Sequence, residues 1–304
     1  MAYFVVVFAG GGLLAPWVWW GVHALPESVV GLRFQGLADH PFHRYVHRCV
    51  LGLAIAALWP LARALGRRTF ADLGWSRRPD AARQWVSGLA VGAVMFATTL
   101  SVEVLLGSRG WRVDLTVARV IVGVLAAAGS ALVVGAIEET VFRGVLCRGL
   151  RESLGWPVAI GISSVVYAWV HFLGKVPSPD TVGAMSGLGV VRDMLGSSVD
   201  VATWMPGMPT LVVAGFLLGR FLQRTGSLHF SVGLHSGWVL FIKMRGTLTA
   251  SVAGSATVAG WGESRVSAGW AGLIAVILTA LVCEGWFARR GCPKADGLGS
   301  GGVR

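Results

Sequence analysis

Two adjacent carboxylates and an arginine end one of the apolar runs of this sequence. They are Glu138, Glu139 and Arg143, and the run before them begins near residue 117. An ionisable group at membrane depth costs roughly 2.5–3.5 kcal/mol, so it survives there by pairing, by facing a polar cavity or by doing chemistry. Glu139 and Arg143 lie one helical turn apart and can pair. Glu138 points about 100° away on the helix and stays free to act as a base.

Two histidines could join this free carboxylate. His171 lies in the next apolar run, and His235 lies in a later, short run. The midpoint of positions 138 and 171 falls within residues 153–157, a stretch typical of a turn. In an antiparallel helix pair, residues equidistant from the turn lie at one depth. We therefore expect Glu138 and His171 to face each other, provided that the first helix continues to about residue 151. The expected depth of His235 in the membrane matches that of Glu138 less closely, because His235 lies nearer to the turn that precedes its helix.

This set of side chains suits hydrolysis at a carbonyl group. A carboxylate assisted by one or two imidazoles can deprotonate a water molecule and direct it at a carbonyl carbon. An imidazole or another donor would stabilise the oxyanion that develops. The same groups could instead bind Zn²⁺, which would lower the pKa of its bound water. The sequence therefore establishes no cofactor, and zinc is the metal that this set could use.

Each of these side chains also has a purely structural interpretation. The glutamate pair could be an interfacial helix end that Arg143 neutralises, and a lone histidine in an apolar run is more often a hydrogen-bonded helix contact. Tyr167, one turn before His171, is predicted to pack. Ser236 lacks the Gly-x-Ser-Gly context of a serine intramembrane protease. The remaining polar residues near the apolar runs are predicted to be structural, interfacial or in loops: Glu103, Glu284, His23, His40, His43, His47 and His229.

The elements that must position these residues are membrane helices. The chain has 304 residues, of which 54% are hydrophobic and 13% are charged, whereas soluble domains carry about 25% charged residues. We predict an all-α fold, a polytopic transmembrane helical bundle of about eight spans. Their approximate bounds are 3–22, 46–65, 85–107, 117–137, 157–173, 209–223, 228–243 and 267–287. The sixth and seventh are short for a bilayer crossing.

The arginines between the apolar runs indicate the orientation. The net charge is +11, but the arginines do not form one soluble face, which argues against nucleic acid as a partner. Six of them fall within residues 63–83, and the positive-inside rule places that loop in the cytoplasm. Alternation from there puts both termini inside. Because no positively charged region precedes the first run, we expect a retained helix in a bacterial inner membrane.

Three short motifs on successive apolar runs resemble the CPBP family of intramembrane endopeptidases, which includes CAAX proteases and bacteriocin-processing enzymes. The resemblance spans roughly residues 117–243, which would form the catalytic core. Residues 1–116 would hold the N-terminal transmembrane helices, and residues 244–304 a loop, the last transmembrane helix and a disordered tail. The first motif is Glu-Glu-x-x-x-Arg, at Glu138, Glu139 and Arg143. The second is Phe-x-x-x-His, which ends at His171 and has Tyr167 in the aromatic position. The third is a histidine four residues before Asn or Asp, where His235 matches the histidine but Val239 stands in the place of Asn or Asp.

The resemblance implies a peptidase that cleaves a membrane-associated protein or peptide within the lipid bilayer. Glu138 would activate water with help from His171, and Glu139 would form a structural pair with Arg143. His235 would stabilise the oxyanion or position the water. The family has been described both as glutamic proteases and as metalloproteases, and the sequence leaves both types open. Val239 removes one polar group, which puts the detailed mechanism in question more than the activity.

Two other functions stay open on the same residues. The substitution at Val239 gives weight to a non-catalytic membrane protein on the same scaffold, such as an immunity factor or a partner subunit. A small transporter could use Glu138 and His171 as a proton relay. Transporters often contain two repeated halves, and no repeat is evident in this sequence.

Overall fold

The computed structural model describes residues 2–25, 38–173, 176–196, 205, 207–252 and 270–289. Within them the predicted all-α class is confirmed, with one short antiparallel strand pair that no sequence pattern indicated. The strands are β1 (Arg109–Trp111) and β2 (Thr249–Ser251). The helices are α1 (Ala2–His23), α2 (Phe42–Ala56), α3 (Leu58–Ala64), α4 (Ala81–Leu105), α5 (Val117–Glu139), a π-helix (Thr140–Cys147), α6 (Arg148–His171), α7 (Ser186–Gly196), α8 (Gly207–Thr225), α9 (His229–Leu248) and α10 (Trp270–Arg289). The predicted disordered tail lies outside the described residues.

Five helical stretches among the described residues are long and apolar enough to cross a membrane. They contain six of the eight predicted spans, because the fourth stretch holds both the fourth and the fifth. The sixth and seventh predicted spans are helical as α8 and α9, and their crossing of the bilayer stays a prediction. The five stretches are Tyr3–His23, Phe42–Ala64, Ala81–Leu105, Val117–His171 and Gly272–Arg289.

The long fourth stretch reverses at a glycine. Gly155 has φ 71° and ψ 171° inside α6, a conformation that glycine adopts without a Cβ clash. Pro157 follows it in the next turn of helix. The predicted turn at residues 153–157 is therefore confirmed. The helix that begins with α5 also continues past Arg151. This was the condition for the prediction that Glu138 and His171 face each other.

The elements fall into two units, Met1–Gly66 with Phe172–Val199 and Arg67–His171 with Asp200–Arg304. In the first unit, α1 packs on α2 and α7. A Cβ on Gly187 of α7 would lie 1.9 Å from the carbonyl oxygen of Gly12, so these two helices touch through their backbones. The second unit holds every candidate site residue. The predicted regions 1–116, 117–243 and 244–304 stay a prediction.

Glycines bring α4 and α9 into backbone contact in the second unit. Each helix carries two glycines spaced four apart, the small-residue pattern that lets membrane helices approach closely. A Cβ on Gly233 would lie 2.0 Å from the carbonyl oxygen of Trp85, and one on Gly237 would lie 2.6 Å from that of Leu89. This tight crossing fixes the helix that carries His235. The four glycines are Gly88, Gly92, Gly233 and Gly237.

Ion pairs neutralise two further glutamates in apolar helices. Both carboxylate oxygens of Glu103 in α4 accept from Arg245 in α9 at 2.7 Å. Glu284 in α10 pairs with Arg220 at 3.2 Å and with Arg224, both in α8. A structural or interfacial role was expected for Glu103 and Glu284, and the ion pairs bear out the structural one, since each joins two helices.

Candidate active site

The glutamate pair lies where α5 widens into the π-helix. Glu138 and Glu139 are the last residues of α5, and the π-helix begins at Thr140. The Thr140 hydroxyl donates to the carbonyl oxygen of Ala136 at 2.6 Å and accepts from the indole N–H of Trp75 at 2.9 Å. π-Helical turns are rare and occur often at functional sites. The regular α-helix therefore ends directly at the two carboxylates.

A buried ion pair fixes Glu139. Its Oε1 lies 3.1 Å from Nη1 of Arg143, and neither side chain is exposed. Arg143 also donates through Nη2 to the carbonyl oxygen of Gly215 at 3.1 Å, and its guanidinium carbon lies 4.5 Å from the centre of the Tyr167 ring. The pairing that the four-residue spacing predicted is confirmed. Loss of one partner would leave an uncompensated buried charge, which costs about 3–5 kcal/mol.

Glu138 and His171 face each other, as their equal distances from the turn predicted. Oε2 of Glu138 lies 3.7 Å from Nε2 of His171, and the two side chains are 26% and 34% exposed. The other ring nitrogen, Nδ1, lies 2.7 Å from the carbonyl oxygen of Tyr167. A carbonyl only accepts, so we assign the proton of the neutral ring to Nδ1. The lone pair on Nε2 then faces Glu138.

His235 contacts both glutamates. Its Nδ1 lies 3.0 Å from Oε1 of Glu139, and its Nε2 lies 3.7 Å from Oε2 of Glu138. Because the Glu139 carboxylate accepts from Nδ1, the neutral ring carries its lone pair on Nε2. The sequence missed this bond to Glu139. No local pattern could reveal it, since the two residues are 96 positions apart.

Tyr167 packs between the two histidines. It is 3% exposed, and its ring centre lies 4.6 Å from that of His171 and 6.1 Å from that of His235. Phe142 from the π-helix meets its ring edge-on at 5.2 Å. The predicted packing role of Tyr167 is confirmed, and this packing holds the imidazoles beside the carboxylates.

Two further residues of α9 take no part in the polar cluster. The buried hydroxyl of Ser236 donates to the carbonyl oxygen of Ala131 at 3.0 Å, which joins α9 to α5. A Cβ on Gly135 would lie 2.5 Å from this hydroxyl, so α5 needs glycine at the crossing. Val239, one turn after His235, is partly buried and brings no polar group to this part of the helix.

The side chains of Glu138, His171 and His235 are not arranged as the ligands of a metal ion. Among the residues that the structure describes, no three His, Cys, Asp or Glu side chains form a group that could hold one. Oε2 of Glu138 is buried and has no hydrogen-bond partner within the described chain. The two Nε2 atoms at 3.7 Å are too distant to bond to it directly. A water molecule beside Oε2 can donate one hydrogen to it and the other to one of the two Nε2 atoms.

The segment that carries the site also matches a family of known proteins. Residues 119–241 match the family model described as Rce1-like: Type II CAAX prenyl endopeptidase Rce1-like. The match covers less than half of the chain, but it includes every residue of the cluster. It confirms the family resemblance that the three motifs indicated. No curated protein and no solved structure matches the chain.

Proposed function

Because residues 119–241 form a domain of the Rce1-like type II CAAX prenyl endopeptidase family, we propose that this integral membrane protein is an endopeptidase in which Glu138 activates the attacking water. One observation carries the proposal: Oε2 of Glu138 lies 3.7 Å from Nε2 of both His171 and His235. Each imidazole is held through its Nδ1, so the Nε2 atom of each ring can accept a hydrogen bond from a water molecule beside Oε2 of Glu138. A water molecule bound there is ready for deprotonation.

Attack on the scissile carbonyl follows from this arrangement. Oε2 of Glu138 accepts a proton from the water, and the hydroxide oxygen bonds to the carbonyl carbon. The carbonyl π electrons move onto the carbonyl oxygen and form a tetrahedral oxyanion. When the carbon–nitrogen bond breaks, protonated Glu138 returns the proton to the leaving amine. The carboxylate is then free for the next water.

We assign His171 and His235 to the positioning of water. In its neutral form each ring uses its one N–H at Nδ1, so Nε2 can accept a hydrogen bond but cannot donate one. A water molecule has two hydrogens, so it directs one to Oε2 of Glu138 and the other to Nε2 of one of the two histidines, and a lone pair of the water oxygen is left for the carbonyl carbon. Between the two roles considered for His235, its bond to Glu139 favours water positioning over oxyanion stabilisation.

The substrate that we propose is a membrane-associated protein or peptide, cleaved near a C-terminal or membrane segment. Glu138 and His171 both lie in the stretch Val117–His171, which is long and apolar enough to cross a bilayer. Arginines in the loop before α4 support a cytoplasmic position for that loop and for both termini, in a bacterial inner membrane. These arginines are Arg67, Arg68, Arg77 and Arg78.

Terminal-peptide mass spectrometry of membrane fractions tests the proposal. Four strains are compared: wild type, a deletion, Glu138→Gln, and Glu284→Gln as a control that changes another helix-borne glutamate. We expect one processed terminus to be lost in the deletion and in Glu138→Gln but kept in Glu284→Gln. The substrate is identified by the terminus that is lost.

Each other result points to one of the alternatives. A terminus lost in the deletion but kept in Glu138→Gln would contradict the role of Glu138 and favour a non-catalytic partner subunit. Unchanged termini in every strain, together with pH-dependent transport by the purified protein, would favour a proton-coupled transporter. If the purified protein contains one equivalent of zinc and loses cleavage when the zinc is chelated, the attacking water is activated by the metal and not by the Glu138 carboxylate.

A further inference from the structure

A loop outside the family-matched segment packs against the π-helix. We call residues 67–78, which precede α4, the clamp loop. The indole N–H of Trp75 donates to the Thr140 hydroxyl at 2.9 Å. Leu73 is 2% exposed, and its carbonyl oxygen would lie 2.8 Å from a Cβ on Gly144. The loop therefore touches the segment that directly follows the glutamate pair.

The same loop bonds to the beginning of α9, the helix that carries His235. The carbonyl oxygen of Gly74 accepts from the amide of Leu228 at 3.0 Å. The carbonyl oxygen of Ser76 lies 3.0 Å from Nε2 of His229. The clamp loop thus joins the two helical segments that contribute the carboxylates and the third-motif histidine.

The clamp loop is itself held in a defined shape. The Asp72 carboxylate accepts from the amides of Thr69 at 2.8 Å and Arg68 at 2.9 Å, and these bonds lower the pKa of Asp72. Arg148 donates to the carbonyl oxygen of Asp72 at 3.4 Å and to that of Gly226 at 2.8 Å. A loop with this many internal and external bonds can transmit a fixed position to its contacts.

We propose that the clamp loop sets the position of the glutamate pair, and that Trp75 is a positioning residue that acts through Thr140. This inference rests on the proposed function. Thr140 follows Glu139 directly, and its hydroxyl also donates to Ala136, one turn earlier. The bond from Trp75 therefore secures the residue at which the α-helix widens. Because a displacement of about 1 Å can reduce catalysis about 100-fold, fixing this residue matters for the rate.

Four single variants and one double variant distinguish a positioning role of Trp75 from a packing role. Trp75→Phe keeps an aromatic ring but removes the N–H, and Thr140→Val removes the hydroxyl at nearly constant shape. Thr140→Ser keeps the hydroxyl. Trp85→Phe is the matched control, since Trp85 packs in the same apolar cluster around Leu228. The double variant Trp75→Phe/Thr140→Val completes the cycle.

Two measurements are made on the full-length protein in detergent. Hydrogen exchange is followed at the amides of residues 136–147, and kcat and KM are measured with a peptide that spans the processed terminus. We expect exchange to rise and kcat to fall about tenfold at constant KM in Trp75→Phe and Thr140→Val. Thr140→Ser and Trp85→Phe stay near wild type. The double variant loses no more than Thr140→Val alone, because the bond that Trp75→Phe removes is already absent without the Thr140 hydroxyl.

The inference is overturned if Trp75→Phe has the same amide exchange rates and the same kcat as Trp85→Phe. It is also overturned if the losses of kcat in the two single variants multiply in the double variant. A wild-type protein that cleaves nothing would instead overturn the proposed function. The exchange rates then decide separately whether Trp75 holds the π-helix.

Discussion

His235 is held by Glu139 and faces Glu138. Its Nδ1 lies 3.0 Å from Glu139, and its Nε2 lies 3.7 Å from Glu138. One imidazole thus links a carboxylate that is fully buried against Arg143 to a neighbour that is 26% exposed. Two consecutive residues of one type therefore have different surroundings. Four predictions of variant behaviour follow from that difference and from the packing around it.

Replacement of Glu138 by Gln is expected to abolish turnover and preserve the fold. The variant loses the base, and general-base catalysis contributes about 10²–10⁴-fold. Among the residues that the structure describes, Glu138 makes no buried ion pair with an arginine, so the thermal midpoint of the variant should stay close to that of wild type. Cleavage of the identified substrate and a thermal-unfolding scan in detergent check the two parts. Full activity in Glu138→Gln would remove Glu138 from the mechanism.

Replacement of Arg143 by Met is expected to destabilise the protein by about 3–5 kcal/mol, because Glu139 is left as an uncompensated buried charge. The measurement is equilibrium unfolding in mixed detergent. The double variant Arg143→Met/Glu139→Gln removes both charges and should recover part of the loss. If the double variant is as unstable as the sum of both single variants, the pair does not act as a unit.

Replacement of His171 by Ala is expected to lower kcat by about 10²-fold or more, since one acceptor for the water is lost. Stability should change little because His171 is 34% exposed. His23 provides a matched control. Its Nδ1 also contacts the carbonyl four residues earlier, that of Trp19 at 2.8 Å, but it lies in the other unit. A similar loss of activity in His23→Ala and His171→Ala would argue against a specific role for His171.

Replacement of Gly233 by Ala is expected to destabilise the protein by about 1–3 kcal/mol, as overpacking does, and to lower activity. The new Cβ would lie 2.0 Å from the carbonyl oxygen of Trp85, so α4 and α9 must separate near His235. Gly246→Ala on the same helix is the control, because among the described residues no atom beyond its chain neighbours and its own helix backbone lies within 4 Å of its Cβ position. Thermal midpoints and cleavage rates of the pair check the prediction. Equal behaviour of both variants would contradict the close crossing.

Much of the site could be predicted because it depends on short-range geometry. The four-residue spacing of Glu139 and Arg143 places them on one helical face, whatever the rest of the chain does. Equal distance from the turn at Gly155 brings Glu138 opposite His171 because both helices rise by the same amount per residue. The membrane character of the chain follows from its apolar runs, which are long enough for spans. The sequence by itself determined these features.

Tertiary structure alone decided how these parts meet. The bonds from Glu139 to His235, from Glu103 to Arg245 and from Trp75 to Thr140 join residues far apart along the chain. Periodicity specifies which face of a helix is polar or small, but it does not specify which other helix covers that face. The choice depends on packing over the whole unit, where the glycine faces of α4 and α9 allow backbone contact and so bring His235 to the glutamate pair.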